Sequence, residues 1–568
     1  MRKKLMSLLL VIALCASLLT IGAAAIDYYS VLITTTDDNY IDVTSENAAD
    51  VLGDGTVSYD AQSKTLTLSG ANVKGVNFNE SGASYVLQIS GSNTITGWIY
   101  AYKSSLTLKG DGTLNVNSSE TGAAVCGDTG LRFESGSYVI SSSTNNAIYS
   151  AASVEFSGTA SVKADSYYPA VYTNSNLTIS ENATVEANSN TDAAIYSLSD
   201  MTITGGKVTA TSEVNTAIVC DSGDLSISGG EVYAESKAND SYNAIFAGCS
   251  LYITGGKVTA IGNKENGIFV DTNAENVAKI SGDAVVNASS IDGAGIDINS
   301  DDFYISDSAV VNAESVNGNG ICASGRLSIS DSASVTAKST NDDAIYATWR
   351  VTATGADVTA VSENASGIST GQNVEISGGA NVSVSGGTAG IEYLNATSAS
   401  NGVSVTGSVL TVSTPDGVDN FINNNAAGTG EVSIVDSWAD LSSKEEPIII
   451  SDSVVFRGGE GAVVGEATVP DGAVIPEGST LTIPEGGRLT VPENVTLTNN
   501  GKVVIEGILD NEGSYADFGE TEGTVTGDGE LTNYWYVTLK YGNGASDEVR
   551  NIVRGKSTTL PTPTRSGY

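Results

Sequence analysis

The sequence predicts an all-β chain built as a right-handed parallel β-helix, a solenoid with three short strands in each coil of about 24 residues. Three observations carry this. A small residue, then Ile or Val, then often an aromatic recurs as Ala147-Ile148-Tyr149, Ala170-Val171-Tyr172, Ala194-Ile195-Tyr196, Ala244-Ile245-Phe246, Gly267-Ile268-Phe269 and Ala344-Ile345-Tyr346. The aliphatic markers of this phrase, from Val125 to Ile391, follow one another at steps of 23 to 28 residues. After each marker comes a strand, a tight turn and another strand, as in Met201-Thr-Ile-Thr-Gly-Gly-Lys-Val-Thr-Ala210 and Leu225-Ser-Ile-Ser-Gly-Gly-Glu-Val-Tyr-Ala234. Apolar residues alternate with Thr or Ser at the strand period of two, and helical spacing is absent. Gly-Gly supplies the positive φ that a turn between short strands needs. A leucine-rich repeat would need a Leu/Asn pattern that the chain lacks.

Taken in order, Met1-Arg-Lys-Lys4, the apolar run Leu8 to Ile21 and Ala23-Ala-Ala25 read as a secretory signal peptide, residues 1–25, with cleavage after Ala25. No later segment has the 18 consecutive apolar residues of a membrane span. Residues 26–75 are expected to form an N-terminal cap and first strands, with a hairpin over Val57 to Leu68, because an open solenoid end exposes core and strand edges. The parallel β-helix occupies 76–415. Residues 416–530 hold a connecting region and a second, simpler solenoid. In this part Val469-Pro-Asp-Gly, Ile475-Pro-Glu-Gly, Ile483-Pro-Glu-Gly and Val491-Pro-Glu-Asn mark turns between very short strands. Residues 531–568 change character again.

Without Arg2, Lys3 and Lys4 the chain has 23 basic against 66 acidic residues, a net charge of −43. That argues against nucleic acid and against direct binding to anionic lipid or wall polymers. It leaves neutral glycans, or acidic glycans bridged by calcium. Secretion permits disulfides. However, Cys126 and Cys322 lie about eight coils apart, and Cys220 and Cys249 are misaligned in adjacent coils, so free thiols are expected.

If each marker points inward, the next residue points outward. Tyr100, Tyr149, Tyr172, Tyr196, Phe246, Phe269 and Tyr346 share that offset, with Trp98 on the other side of Ile99. Stacked coils would align them in a longitudinal aromatic stripe, interrupted at Cys126, Val219, Asp297 and Cys322. Two readings stand: a platform for the C–H faces of an extended polysaccharide, or an external ladder that stabilises the coils by cross-strand pairing. Acids near coil turns, Asp221 with Asp224 and Asp297 with Asp301 and Asp302, are the candidate calcium ligands. Asn145, Asn146, Asn243, Asn266 and Asn319 precede the markers and read as a ladder of stacked amides.

An enzyme is not expected. The chain has no histidine, basic residues do not cluster on the marker strand, and the pairs Asp301-Asp302 and Asp342-Asp343 would point apart in extended chain.

The repeated Leu-x-Ile-Ser-Gly-Gly-x-Val-x-Ala and Ala-Ile-Tyr phrases resemble the clostridial β-helix family called carbohydrate-binding domain proteins. So does the lead-in Val51-Leu-Gly-Asp-Gly-Thr-Val-Ser-Tyr-Asp60 with Leu66-Thr-Leu-Ser-Gly-Ala-Asn-Val73. The likeness covers roughly residues 40–400. It implies non-catalytic binding of plant-type or acidic polysaccharide, with calcium as the candidate cofactor, on a lyase-like scaffold without catalysis. It transfers no site motif to particular residues. Tyr536-Val-Thr-Leu-Lys-Tyr-Gly-Asn-Gly544 and Gly555 to Tyr568 resemble the opening of the Listeria–Bacteroides repeat, the β-grasp-like module of internalins, here a partial copy. Together the likenesses imply a secreted or cell-surface protein of a Gram-positive bacterium. The expected function is polysaccharide recognition. The alternative is a structural stalk or adhesin that meets a host or cell-surface protein.

Overall fold

The computed structural model describes residues 26–271, 277–393, 402–415, 422–424, 431–441, 448–539 and 548–553. The signal-like segment 1–25 and the final run 554–568 lie outside the described residues. Among the described residues there is no helix, and the strands stack mostly in parallel as a β-solenoid of about 17 turns. They divide into two compact units, Met1–Ala187 and Asn188–Tyr568.

In the first unit the predicted coil grammar is explicit. Marker strands Val125–Gly127, Ile148–Ser150 and Val171–Thr173 stack in parallel, with Val125 against Ile148 and Ile148 against Val171. Middle strands Leu131–Phe133, Val154–Phe156 and Leu177–Ile179 do the same. So do the third strands Ser137–Ser142 and Ser161–Ser166. Side chains alternate as the period of two requires: Ile148 and Ser150 are buried and Tyr149 between them is half-buried. Equal offsets put like on like inside, so Phe133 and Phe156 stack with centroids 5.1 Å apart. The buried phenol of Tyr138 donates to the Ser135 carbonyl at 2.6 Å, so no polar atom is stranded there. Val57–Asp60 and Thr65–Ser69 form the expected antiparallel hairpin. Tyr28–Thr34 runs antiparallel to both Tyr40–Thr44 and Asn72–Phe78, which covers an edge that would otherwise be open.

The second unit repeats the grammar from the marker strand Ile195–Ser197 onward. Its outer faces carry opposite charges one coil apart in register: Lys207 with Glu231 at 3.3 Å, Arg326 with Asp302 at 2.6 Å and Lys338 with Glu314 at 2.9 Å. Each such exposed pair adds little stability, and the alternation is not complete, since Arg350 stands in register with Arg326 one coil on and pairs instead with Glu375 at 3.0 Å. The turn after the middle strand comes in two forms. In Ile227-Ser-Gly-Gly230 the second glycine takes φ 82°, as the sequence predicts. In Ile305-Ser-Asp307 the left-handed position falls one residue earlier, on Asp307 at φ 60°, a side chain that tolerates this conformation.

The turn leading back to the marker is held by serine. Ser212 Oγ accepts the Asn215 N–H at 3.0 Å and donates to the Asp192 carbonyl of the preceding coil at 2.7 Å. Ser290, Ser315, Ser339 and Ser362 repeat both bonds. A hydroxyl does this because it is donor and acceptor at once on a short stem. Of the five asparagines expected as an amide ladder, Asn243 and Asn266 follow one another across coils, Asn243 Oδ1 accepting the Asn266 N–H and Asn266 Oδ1 the Ala294 N–H. Asn145, Asn146 and Asn319 instead donate their side-chain amides to the backbone carbonyls of Thr121, Pro169 and Asp343.

Parallel pairing continues past residue 415 through Ile422–Asn424, Glu431–Val435, Trp438–Leu441 and Ile448–Ser451 to Ser453–Arg457. There Glu460–Val464 turns back antiparallel and a second solenoid begins. Its three ladders run through Thr480–Ile483, Arg488–Val491 and Thr496–Asn499, each parallel to the strand one coil before and one coil on. The Pro-Glu-Gly corners are type II turns: Ser479 N–H bonds to Pro476 O, and Gly478 between them holds φ 82°. Of the segment resembling the Listeria–Bacteroides repeat, Glu530–Leu539 and Glu548–Val553 are described and pair antiparallel. Cys126, Cys220, Cys249 and Cys322 are free thiols.

Candidate functional site

The marker strands align the outward aromatics by register. In the first unit the column runs Tyr100, Cys126, Tyr149, Tyr172. Trp98 lies instead beside Gly75, where a Cβ would come within 2.8 Å of the indole. Its Nε1 donates to Asn77 Oδ1 at 2.6 Å, and Lys74 Nζ sits 5.9 Å from the ring centroid. The Tyr100 hydroxyl donates to Asp128 at 3.2 Å, and burial, then that carboxylate, pushes its pKa up to about 12. These groups are held by protein contacts at their polar tips.

In the second unit the column runs Tyr196, Val219, Phe246, Phe269, Asp297, Cys322, Tyr346. Its first four members form one wall of a groove of about 650 Å³. The other wall is the serine-held turn. It contributes Asp192, Asn215, Tyr242 and Glu265, each three residues before its marker, with Asn243 and Asn266 beside them. Asp297 closes one end of the aromatic row. Phe246 and Phe269 lie 5.9 Å apart and 38° from parallel, so they are not stacked flat on each other. Of the sequence-predicted stripe, Tyr196, Phe246 and Phe269 therefore share one concave site. Tyr346 lies farther along the column, beyond Asp297 and Cys322.

The turn-side wall was not among the sequence candidates. Its signal was available, since residues 192, 215, 242 and 265 share one offset from the marker. Their identities differ, however, and no repeated residue drew attention to the column.

The five candidate calcium ligands fall in three places, Asp221 with Asp224 near Cys249, Asp297 on a marker strand, and Asp301 with Asp302. Asp224 Oδ1 accepts the Ser250 N–H at 3.1 Å, and Asp221 takes a hydroxyl from its neighbour Ser222. Asp302 is held by Arg326 at 2.6 and 3.0 Å and by the Tyr304 hydroxyl at 3.0 Å, so a protein cation already neutralises it. Asp301 is exposed beside it. Asp297 stands on the marker strand instead, accepting from Asn266 Nδ2 at 3.3 Å. Burial raises its pKa above the usual aspartate value. Among the described residues no group of three or more Asp, Glu, His or Cys side chains is placed to hold a metal ion, so these five carboxylates do not by themselves supply the several converging oxygens that calcium takes.

No family model, no curated protein and no solved structure matches this chain.

Proposed function

We propose that this chain is a secreted or cell-surface glycan-binding solenoid without catalytic activity, and that the groove along Tyr196, Phe246 and Phe269 is its binding site. The observation that carries the reading is the concave aromatic row facing a polar turn wall. Rings present faces to the C–H surface of a pyranose, while amides and carboxylates across the groove accept and donate to its hydroxyls. The groove volume of about 650 Å³ is in the range of ordinary ligand sites. Three steps of about 4.8 Å between the four coils give the row a run of about 14 Å, which suits a segment of an extended chain.

A glycan array probed with and without calcium tests it, followed by titration of Tyr196→Ala, Phe246→Ala and Phe269→Ala proteins of unchanged thermal stability. Loss of binding in these variants supports the reading. Absence of binding to every glycan sinks it and leaves a structural rod or adhesin that meets a protein partner. The stacked Tyr149 and Tyr172 of the first unit favour that structural role for their own stretch of the stripe.

A further inference from the structure

The groove has a charge that its aromatic row does not explain. Asp192, Glu265 and Asp297 line it, and no lysine or arginine does. The lysines that flank its turns are engaged elsewhere: Lys237 pairs with Glu213 at 2.8 Å, and Lys264 pairs with Asp292. Asp192 is oriented by the Ala193 N–H at 2.7 Å and Asn215 Nδ2 at 3.3 Å. Asp297 occupies the register position directly after Phe269, where the repeat would place another ring. A half-buried carboxylate beside a second one is unfavourable: burial, then Glu265, act to raise the pKa of Asp297 against the lowering hydrogen bonds from Cys322 and Asn266. A cation would relieve this. Among the described residues no three carboxylates converge on one point, and an ammonium, whose three N–H donors are met by a few acceptors, asks for less convergence than calcium does.

We infer that the occupant is a glycan bearing free amino groups, its sugar faces on Tyr196, Phe246 and Phe269 and its ammonium groups among Asp192, Glu265 and Asp297. This rests on the glycan-binding reading and narrows it. An acidic polysaccharide would bring like charge into a groove with nothing to neutralise it. A neutral one would leave the carboxylates without a counter-charge. The overall net charge of −43 outside the signal segment acts in the same direction by steering polycations toward the protein.

The test is calorimetric titration of the full chain with four probes: a β-1,4-linked glucosamine hexamer, its N-acetylated counterpart, a glucose hexamer, and an oligogalacturonate with calcium chloride. The glucosamine hexamer is expected to bind at least about tenfold more tightly than the other three, an advantage that added salt erodes. Glu265→Gln and Asp297→Asn should shrink the advantage toward unity while Phe246→Ala weakens every probe that binds. The salt dependence of the unmodified protein keeps the test valid if a variant misfolds. Equal affinity for the glucose and glucosamine hexamers would overturn the amine inference and leave glycan binding standing. Preference for oligogalacturonate would overturn it in favour of an acidic ligand. Binding of none of the four would remove this inference, while the wider array would decide glycan binding itself.

Discussion

Tyr149 and Tyr172 stack across consecutive coils with ring centroids 5.6 Å apart and planes 10° from parallel. The pairing follows directly from parallel register, which sets Tyr149 opposite Tyr172, and the Asn174 amide donates to the Tyr149 hydroxyl at 3.0 Å. A double-mutant cycle over Tyr149→Ala and Tyr172→Ala should give a coupling of about 0.5–1.5 kcal/mol in chemical unfolding. Additive losses would show that the rings merely lie side by side.

The serine ladder predicts a larger effect from a smaller side chain. Ser339 Oγ accepts the Asp342 N–H at 3.0 Å and donates to the Gly318 carbonyl at 2.7 Å, and it is almost wholly buried. Ser339→Ala removes both bonds and leaves a backbone N–H and carbonyl short of a partner, a cost of about 1–3 kcal/mol. Faster hydrogen exchange at the Asp342 amide and a lowered unfolding midpoint would register it. A neutral result would mean that water replaces the hydroxyl.

These two cases mark what the sequence discloses. Tyr149 was legible as outward and stacked because alternation has a period of two and the coil a period near 24, so two counts fix direction and neighbour. The Asp302–Arg326 pair, 24 residues apart, obeys the same arithmetic, yet it was missed because Asp302 was grouped with Asp297 and Asp301 by proximity in the chain. Structure separates Asp297, on a marker strand, from Asp302, on a middle strand. The position of positive φ on Asp307 rather than two residues before Val310 was not legible, since turn form depends on local backbone torsions that both sequences allow. The groove depends on the depth of the turn as well as its register, and the count from marker to marker carries register alone.

The thiols should be inert. Burial pushes the pKa of both Cys126 and Cys220 up to about 12, and burial raises those of Cys322 and Cys249 as well, followed by the Asp297 carboxylate for Cys322 and by Asp224 for Cys249. At pH 8 little thiolate is present, so an aromatic disulfide reagent should react slowly with the folded protein and rapidly with all four of these thiols once it is unfolded. Fewer than four reactive groups in denaturant without reductant would reveal a disulfide between Cys220 and Cys249 that the free-thiol arrangement excludes.

Asp343 gives stability a pH dependence of unusual sign. Burial raises its pKa from 3.8 to about 6, with Asp342 and Glu392 adding to the rise and the Ser366 N–H, bonded at 2.9 Å, opposing it. The folded state therefore holds the proton more tightly than the unfolded chain. Between about pH 4 and 6 the native protein binds more protons, so this group's contribution to stability falls as pH rises and stays low above that window. Asp343→Asn keeps an oxygen to accept from Ser366 and removes the buried charge. Its midpoint of thermal unfolding should exceed that of the parent protein at pH 7 to 8, by the equivalent of about 2 kcal/mol, and should match it near pH 4. The comparison isolates Asp343 from the many other acids, because their titration is common to both proteins. A variant less stable than the parent at pH 7 would mean that the bonds from Ser366 outweigh the cost of burying the charge, and that the carboxylate is ionised and satisfied in the native turn.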